Sequence, residues 1–279
     1  MKGWRKEALI VAVFYAAYSA VRNQFGSALV ASTEVPTRAF ANAMHLIRIE
    51  RWLGTYHEET LQDLVLPHLW LVRAANVWYG TTHFFVTLGA FVALYLRRRD
   101  VFALWRNVLA AVTAIALVGF MLLPVMPPRL LDAPCPPVDW GGRCIASDLR
   151  TGGGADNFGF VDTIRTYGGP WAFDRGAGAK LSNQFAAMPS LHVGWALWCV
   201  MAWWPFVRRR AWRAALIAYP VVTCLVIVVT ANHFWLDALG GAVAYAEALP
   251  IGVRAHAWRA ARASARAERR AGRALTLRK

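Results

Sequence analysis

Residues 186–195 read Ala186-Ala187-Met188-Pro189-Ser190-Leu191-His192-Val193-Gly194-Trp195. Pro189 opens an apolar run that continues to Val207 and is closed by Arg208-Arg209-Arg210. Its length approaches the ~20 residues that a helix needs to cross a bilayer. Ser190 and His192 stand at its mouth. A helix start leaves backbone N–H groups unpaired and carries the positive end of the helix dipole, so it suits something anionic.

Working outward, similar apolar runs recur. Of the 279 residues 57% are hydrophobic and only 17% are charged, which is too little charge for the surface of a soluble domain of this size. The net charge of +15 then belongs to loops facing anionic headgroups, and nucleic acid is not an expected partner. No small-residue cleavage site follows the basic start Met1 to Lys6, so a cleaved leader is not expected.

The pattern predicts an all-α integral membrane protein with six transmembrane helices. The spans are Glu7 to about Val30, Asn76 to Leu96, Val101 to Leu123, Pro189 to Val207, Trp212 to Thr230 and His233 to Val253. Between the first two, Thr33 to Leu66 repeats apolar residues at helical spacing (Ala39, Phe40, Ala43, Leu46, Ile47, Ile49) among charged ones, as an amphipathic surface segment does. Glu58, Glu59, Gln62 and Asp63 predict a second short interfacial helix. The expected organisation is a first membrane helix in 1–32, an interfacial segment in 33–66, a bundle in 67–255 with a long outer loop over 124–187, and a basic tail over 256–279.

Charge sets the orientation. Arg97, Arg98, Arg99 and Arg106 follow the second span, and Arg208, Arg209, Arg210 and Arg213 follow the fourth. The tail from Arg254 has nine basic residues and one acid, whereas Pro124 to Ala187 has six of each. Positive loops stay in the cytoplasm. Both termini are therefore expected there, with the long loop and the Thr230-to-His233 turn on the outer side. Cys135 and Cys144 lie in that loop, where an oxidising compartment permits a disulfide, while Cys199 and Cys224 fall within spans.

Topology brings five polar residues to the outer side at similar depth: Arg129 after the third span, Ser190 and His192 at the start of the fourth, His233 and Asp237 at the start of the sixth. Ionisable groups in a membrane bundle are costly and point to function. His233 and Asp237 share a helix face four residues apart, so the carboxylate can orient the imidazole and leave Nε2 as a nucleophile. His192 suits a general acid. Arg129 offers a forked cation to phosphate oxygens, and Ser190 adds a neutral donor. These groups suit phosphoryl transfer without a metal or cofactor. The His233/Asp237 pair with His192 is also compatible with a metal, although a further ligand at fitting spacing is missing. His83 reads as a rim residue, and Arg22, Glu50 and Glu58 stand near the same side without an assigned role.

Met188-Pro189-Ser190-Leu191-His192-Val193-Gly194 with His233-Phe234-Trp235-Leu236-Asp237 resembles the second and third motifs of the type 2 phosphatidic acid phosphatase superfamily. Pro189-Ser190-Leu191-His192 together with Pro127-Pro128-Arg129-Leu130-Leu131 is more similar to its inositol phosphorylceramide synthase-like branch. The resemblance covers roughly residues 40–255. It implies a phosphohistidine at His233, oriented by Asp237, with His192 protonating the leaving group and Arg129 binding phosphate. Two cations of the family pattern are replaced, by Leu122 and Ile227. Lys180, Arg150, Arg165 or Arg175 from the outer loop are the candidate substitutes, Lys180 foremost.

The expected activity is thus a phosphotransferase or phosphatase of membrane lipid phosphoesters at the outer face of the cell membrane. Transfer of a phospho-headgroup such as phosphoinositol and plain hydrolysis of a lipid or polyprenyl phosphate both remain open. An anion or lipid transporter would need polar groups through the mid-membrane, yet Val108 to Met121 and Leu216 to Val229 have no Asp, Glu, Lys, Arg or His.

Overall fold

The structure is a computed structural model. It describes residues 34–132, 143–145, 157–168 and 184–276, with scattered residues between Trp4 and Ala16. The expected first span, Arg22, Cys135, Arg150, Arg175 and Lys180 lie outside the described residues or mostly so.

Two helices precede the bundle: α1 (Glu34–Leu53) and α2 (Glu58–Val65). Then α3 (Leu69–Val77) passes through a π-helical turn, Trp78–Thr82, into α4 (His83–Arg97), forming one rod. α5 (Arg99–Leu122) follows at once and stops before Pro124, whose ring disfavours helix in the residue ahead of it. Short helices α6 (Pro128–Leu131) and α7 (Thr163–Tyr167) belong to the long loop. α8 (Leu191–Trp203), α9 (Arg210–Val229) and α10 (Trp235–Thr276) complete the described elements. Among the described residues the β pairing is one parallel bridge, Val125 to Ala186.

Among the described residues four helices are long and apolar enough to cross a membrane: Leu69–Arg97, Arg99–Leu122, Arg210–Val229 and Trp235–Arg266. Phe84, Phe85, Leu88 and Leu96 on α4, Val221 and Leu225 on α9, and Leu239 and Val243 on α10 are exposed. Such an apolar girdle is what hydrocarbon covers.

The expected fourth span is different. α8 has 13 residues, about 20 Å at the α-helical rise, and ends in a 3-10 turn at Trp204–Phe206. Ala196, Trp198, Cys199 and Ala202 are buried, so α8 is a central strut with α5, α9, α4 and α10 around it. Hydropathy alone does not separate a helix buried in protein from one facing lipid. The last helix also departs from expectation: it runs through the basic tail to Thr276 without a break.

Two apolar layers close the bundle. At one end Ala39, Ala43, Leu46 and Ile47 of α1 pack on Val125, Met126, Leu130, Leu131, Phe185 and Phe234. At the other end Leu94, Phe102, Val108, Trp198 and Ala248 form a second core. The first layer covers the end where α5 and α9 finish and α8 and α10 begin.

Close approach fixes the start of α8. A Cβ on Gly241 of α10 would stand 2.3 Å from the Ser190 carbonyl oxygen, and one on Gly119 of α5 would stand 2.3 Å from Pro189 Cδ. A backbone oxygen cannot swing aside as a flexible side chain can. Gly241→Ala is therefore expected to lower the melting temperature by about 5 °C, the scale of a ~2 kcal/mol overpacking penalty in a chain of this size. Gly89→Ala on α4, where a Cβ meets nothing within 4 Å, is the control and leaves the melt unchanged.

Candidate active site

The site is built from a turn and two helix starts. α9 ends at Val229, and the backbone N–H groups of Asn232 and His233 both donate to the Ile227 carbonyl, at 3.0 and 3.1 Å. Ala231 takes a left-handed backbone, φ 53°, which the turn requires. Asn232 Nδ2 donates to Thr230 O (3.1 Å) and Thr230 Oγ1 (2.9 Å), closing the turn on itself. Ile227, which stands where the family pattern has a cation, is fully buried and serves through its carbonyl.

His233 and Asp237 meet as the four-residue spacing predicts, with Nδ1 and Oδ2 3.4 Å apart. The same Oδ2 accepts from Phe234 N at 2.9 Å. At 3.4 Å the imidazole contact is looser than an ordinary hydrogen bond, so the backbone cap holds Asp237 firmly and the histidine rests beside it. Both residues are buried.

His192 sits on the first turn of α8, its ring centroid 5.5 Å from that of His233. Ser190 N donates to the Asp237 carbonyl at 2.9 Å, tying the two motifs together. Ser190 caps α8 with its backbone only, and its buried Oγ has no partner among the described residues. The start of α8 is thus open, with a spare hydroxyl beside it.

Two further residues surround His192. Tyr79 stacks on it at 4.5 Å with planes 21° apart, and the His83 ring lies 4.1 Å away. The Tyr79 carbonyl also accepts from the His192 ring. Both residues come from the π-helical turn and the helix that it leads into. The sequence reading of His83 as a rim residue is corrected: it is buried within a three-histidine group. A π-turn is a frequent mark of a functional site, but a helix-period pattern does not reveal it.

Arg129 is buried beside the turn. Its N–H donates to the Ala231 carbonyl (2.8 Å), Nε donates to Asn232 Oδ1 (2.9 Å), Nη1 to Asp162 Oδ2 (2.8 Å) and Nη2 to Gln184 Oε1. Among the described residues three of the five guanidinium N–H groups are thus engaged by protein oxygens. Asp162 lies in the loop stretch 157–168, which Gln62 binds through Val161 and Asn76 through Thr163. Of the candidate substitute cations, Arg165 is described and exposed, its backbone N–H donating to Asp162 Oδ1; Leu122, which stands where the family pattern has a cation, is exposed at the end of α5. Cys144 is disulfide-bonded, and its expected partner Cys135 lies outside the described residues.

The start of α10 is closed by three carboxylates. Besides Asp237 on Phe234 N, Glu58 Oε1 accepts from Trp235 N (3.1 Å) and Glu50 Oε1 from Leu236 N (2.8 Å). Glu50, Glu58 and Gln62 are buried, so the polar residues of α1 and α2 do not all face water as an amphipathic surface reading expects. Their burial follows from the helix start that they cap.

A family model for the PAP2 superfamily, the type 2 phosphatidic acid phosphatases, matches residues 44–250. The chain belongs to this superfamily, whose members are phosphatases and phosphotransferases. Searches of curated proteins and of solved structures each found no match.

Proposed function

We propose that the chain is a membrane lipid-phosphate phosphotransferase or phosphatase that works through a phosphohistidine. The observation that carries this reading is the pair of imidazoles 5.5 Å apart on two helix starts, with Asp237 behind one of them. His233 Nε2 attacks phosphorus, the bond to the leaving oxygen breaks, and His192 gives that oxygen its proton. Water or a second hydroxyl then attacks the phosphohistidine, and His192 takes the proton back. His192 Nε2 has no protein partner, which leaves it to the substrate. Ser190, the open start of α8, Arg129 and, from the outer loop, Lys180 bind the phosphoryl oxygens, so the reaction requires neither metal nor cofactor.

The helices suit a lipid donor that enters sideways. In this reading residues 7–30 add one crossing and α8, short and enclosed by its neighbours, is counted as the sixth; the arginine runs hold both termini in the cytoplasm, and the site faces the outer side of the cell membrane. The Pro189-to-His192 and Pro127-to-Leu131 patterns favour the inositol phosphorylceramide synthase-like branch, in which phosphoinositol passes between lipids. Hydrolysis of a lipid or polyprenyl phosphate is the same chemistry with water as acceptor.

Purified protein in mixed micelles tests this. With phosphatidic acid, released phosphate marks hydrolysis; with phosphatidylinositol and a lipid alcohol, diacylglycerol and a new phosphoinositol lipid mark transfer. Product is expected in at least one arm, unchanged by a divalent chelator. Loss of turnover on chelation overturns the metal-free mechanism.

A further inference from the structure

Glu50 on α1 and Glu58 on α2 are both fully buried. Each spends Oε1 on a backbone amide of α10, and each Oε2 has no donor from the protein. The two carboxyls cap neighbouring amides, Trp235 N and Leu236 N, so their two free oxygens are buried side by side. Two carboxylate oxygens can face each other in that way only with a proton between them. The charged groups acting on Glu50 are Glu58 and Asp237, both acids, and the Tyr56 phenol stands near. Burial, and then the nearness and charge of Glu58, push the Glu50 carboxyl up to about 9.

We propose that Glu50 and Glu58 share one proton and act as a pair of positioning residues, clamping the first amides of α10 so that His233 and Asp237 stay in register with His192. The geometry supports a mechanical role. Phe234, Trp235 and Leu236 are consecutive, and their three N–H groups go to Asp237, Glu58 and Glu50. The last two carboxylates belong to other helices, so the pair is the tie between α1, α2 and the nucleophile. Loss of the shared proton places two anions in contact and opens the clamp.

The catalytic consequence rests on the proposed phosphohistidine reaction; the shared proton does not. Glutamine mimics a protonated glutamate, accepting from the amide through Oε1 and donating through Nε2. A single Glu50→Gln or Glu58→Gln therefore keeps a donor facing an acceptor, and each is expected to stay within ~3-fold of wild-type kcat. The double variant sets two NH2 groups against each other and is expected to lose ~30-fold or more in kcat with little change in KM, a strongly non-additive result. Side chains that only fill space would give additive effects, because both substitutions conserve volume.

Stability against pH gives a second readout that needs no activity. A carboxyl raised from 4.5 to about 9 binds its proton more tightly in the folded state, so its contribution is full below 4.5 and is lost as pH rises through about 9. Wild-type melting temperature is expected to fall between pH 6 and 10, and Glu50→Gln to flatten that fall. Additive kcat effects together with the same pH slope in Glu50→Gln and wild type overturn the proposal. If instead no variant, wild type included, turns over lipid phosphate, the reaction reading fails, and the melts alone decide the shared proton.

Discussion

His233→Ala is expected to lower turnover of lipid phosphates by ~10⁴-fold or more while leaving the fold intact. Among the described residues the imidazole's polar contact is the loose one, 3.4 Å to Asp237, and its ring neighbours His192 and Tyr79 stand 5.5 and 6.4 Å away between centroids, so its removal releases little binding within the protein. Asp237 keeps its cap on Phe234 N, and the turn keeps its bonds to Ile227 O and Arg129. The melting temperature is therefore expected to stay near that of wild type, which separates lost chemistry from lost structure. Labelled substrate quenched in alkali gives a second test. Wild type is expected to carry an acid-labile, alkali-stable phosphoryl group, and the variant none. Full activity in His233→Ala sinks the mechanism.

His192→Ala is expected to reveal its role through the leaving group. An alkoxide leaves poorly without a proton, so hydrolysis of an alkyl lipid phosphate is expected to fall ~10³-fold, within the range for a lost general acid. A nitrophenolate leaves unaided, and the loss on an aryl phosphate is expected to stay under ~10-fold. Phosphate affinity changes little in either case, because Ser190 and Arg129 remain in place. An equal loss on both substrates overturns the acid assignment and would point to His192 as an orienting or phosphate-binding group.

That His233, Asp237 and His192 come together was readable from the chain because each placement depends on local spacing. His233 and Asp237 lie one helical turn apart, and His192 follows a proline that starts a helix; arginine runs then put both starts on one side. What escaped depends on contacts that local spacing does not encode. His83 and Tyr79 reach His192 because a π-turn resets the helix register at Trp78–Thr82. Glu50 and Glu58 read as polar residues of surface helices, yet both are buried against amides nearly 180 residues away. Arg129 was legible as a cation at this end of the bundle, whereas its partners Asp162 and Gln184 come from a loop without periodicity. α8 has the hydropathy of a membrane span and the length of a strut, and only its neighbours distinguish the two.

The unequal state of the two helix starts divides the kinetics between them. α10, which follows His233, the nucleophile of the proposed reaction, has given its leading amides to carboxylates, so it has few donors to spare for substrate. Among the described residues α8 has an open start and an unpartnered hydroxyl, and it carries His192, the acid of the proposed reaction. In the proposed reaction one helix therefore holds the phosphoryl group and the other attacks it. Ground-state affinity follows α8, and the distance that phosphorus must travel follows the offset between α8 and α10. The Ser190 N to Asp237 O bond and the glycine contact at Gly241 set that offset. Substitutions along this seam should move kcat while leaving KM largely alone, and substitutions around Ser190 Oγ should do the reverse.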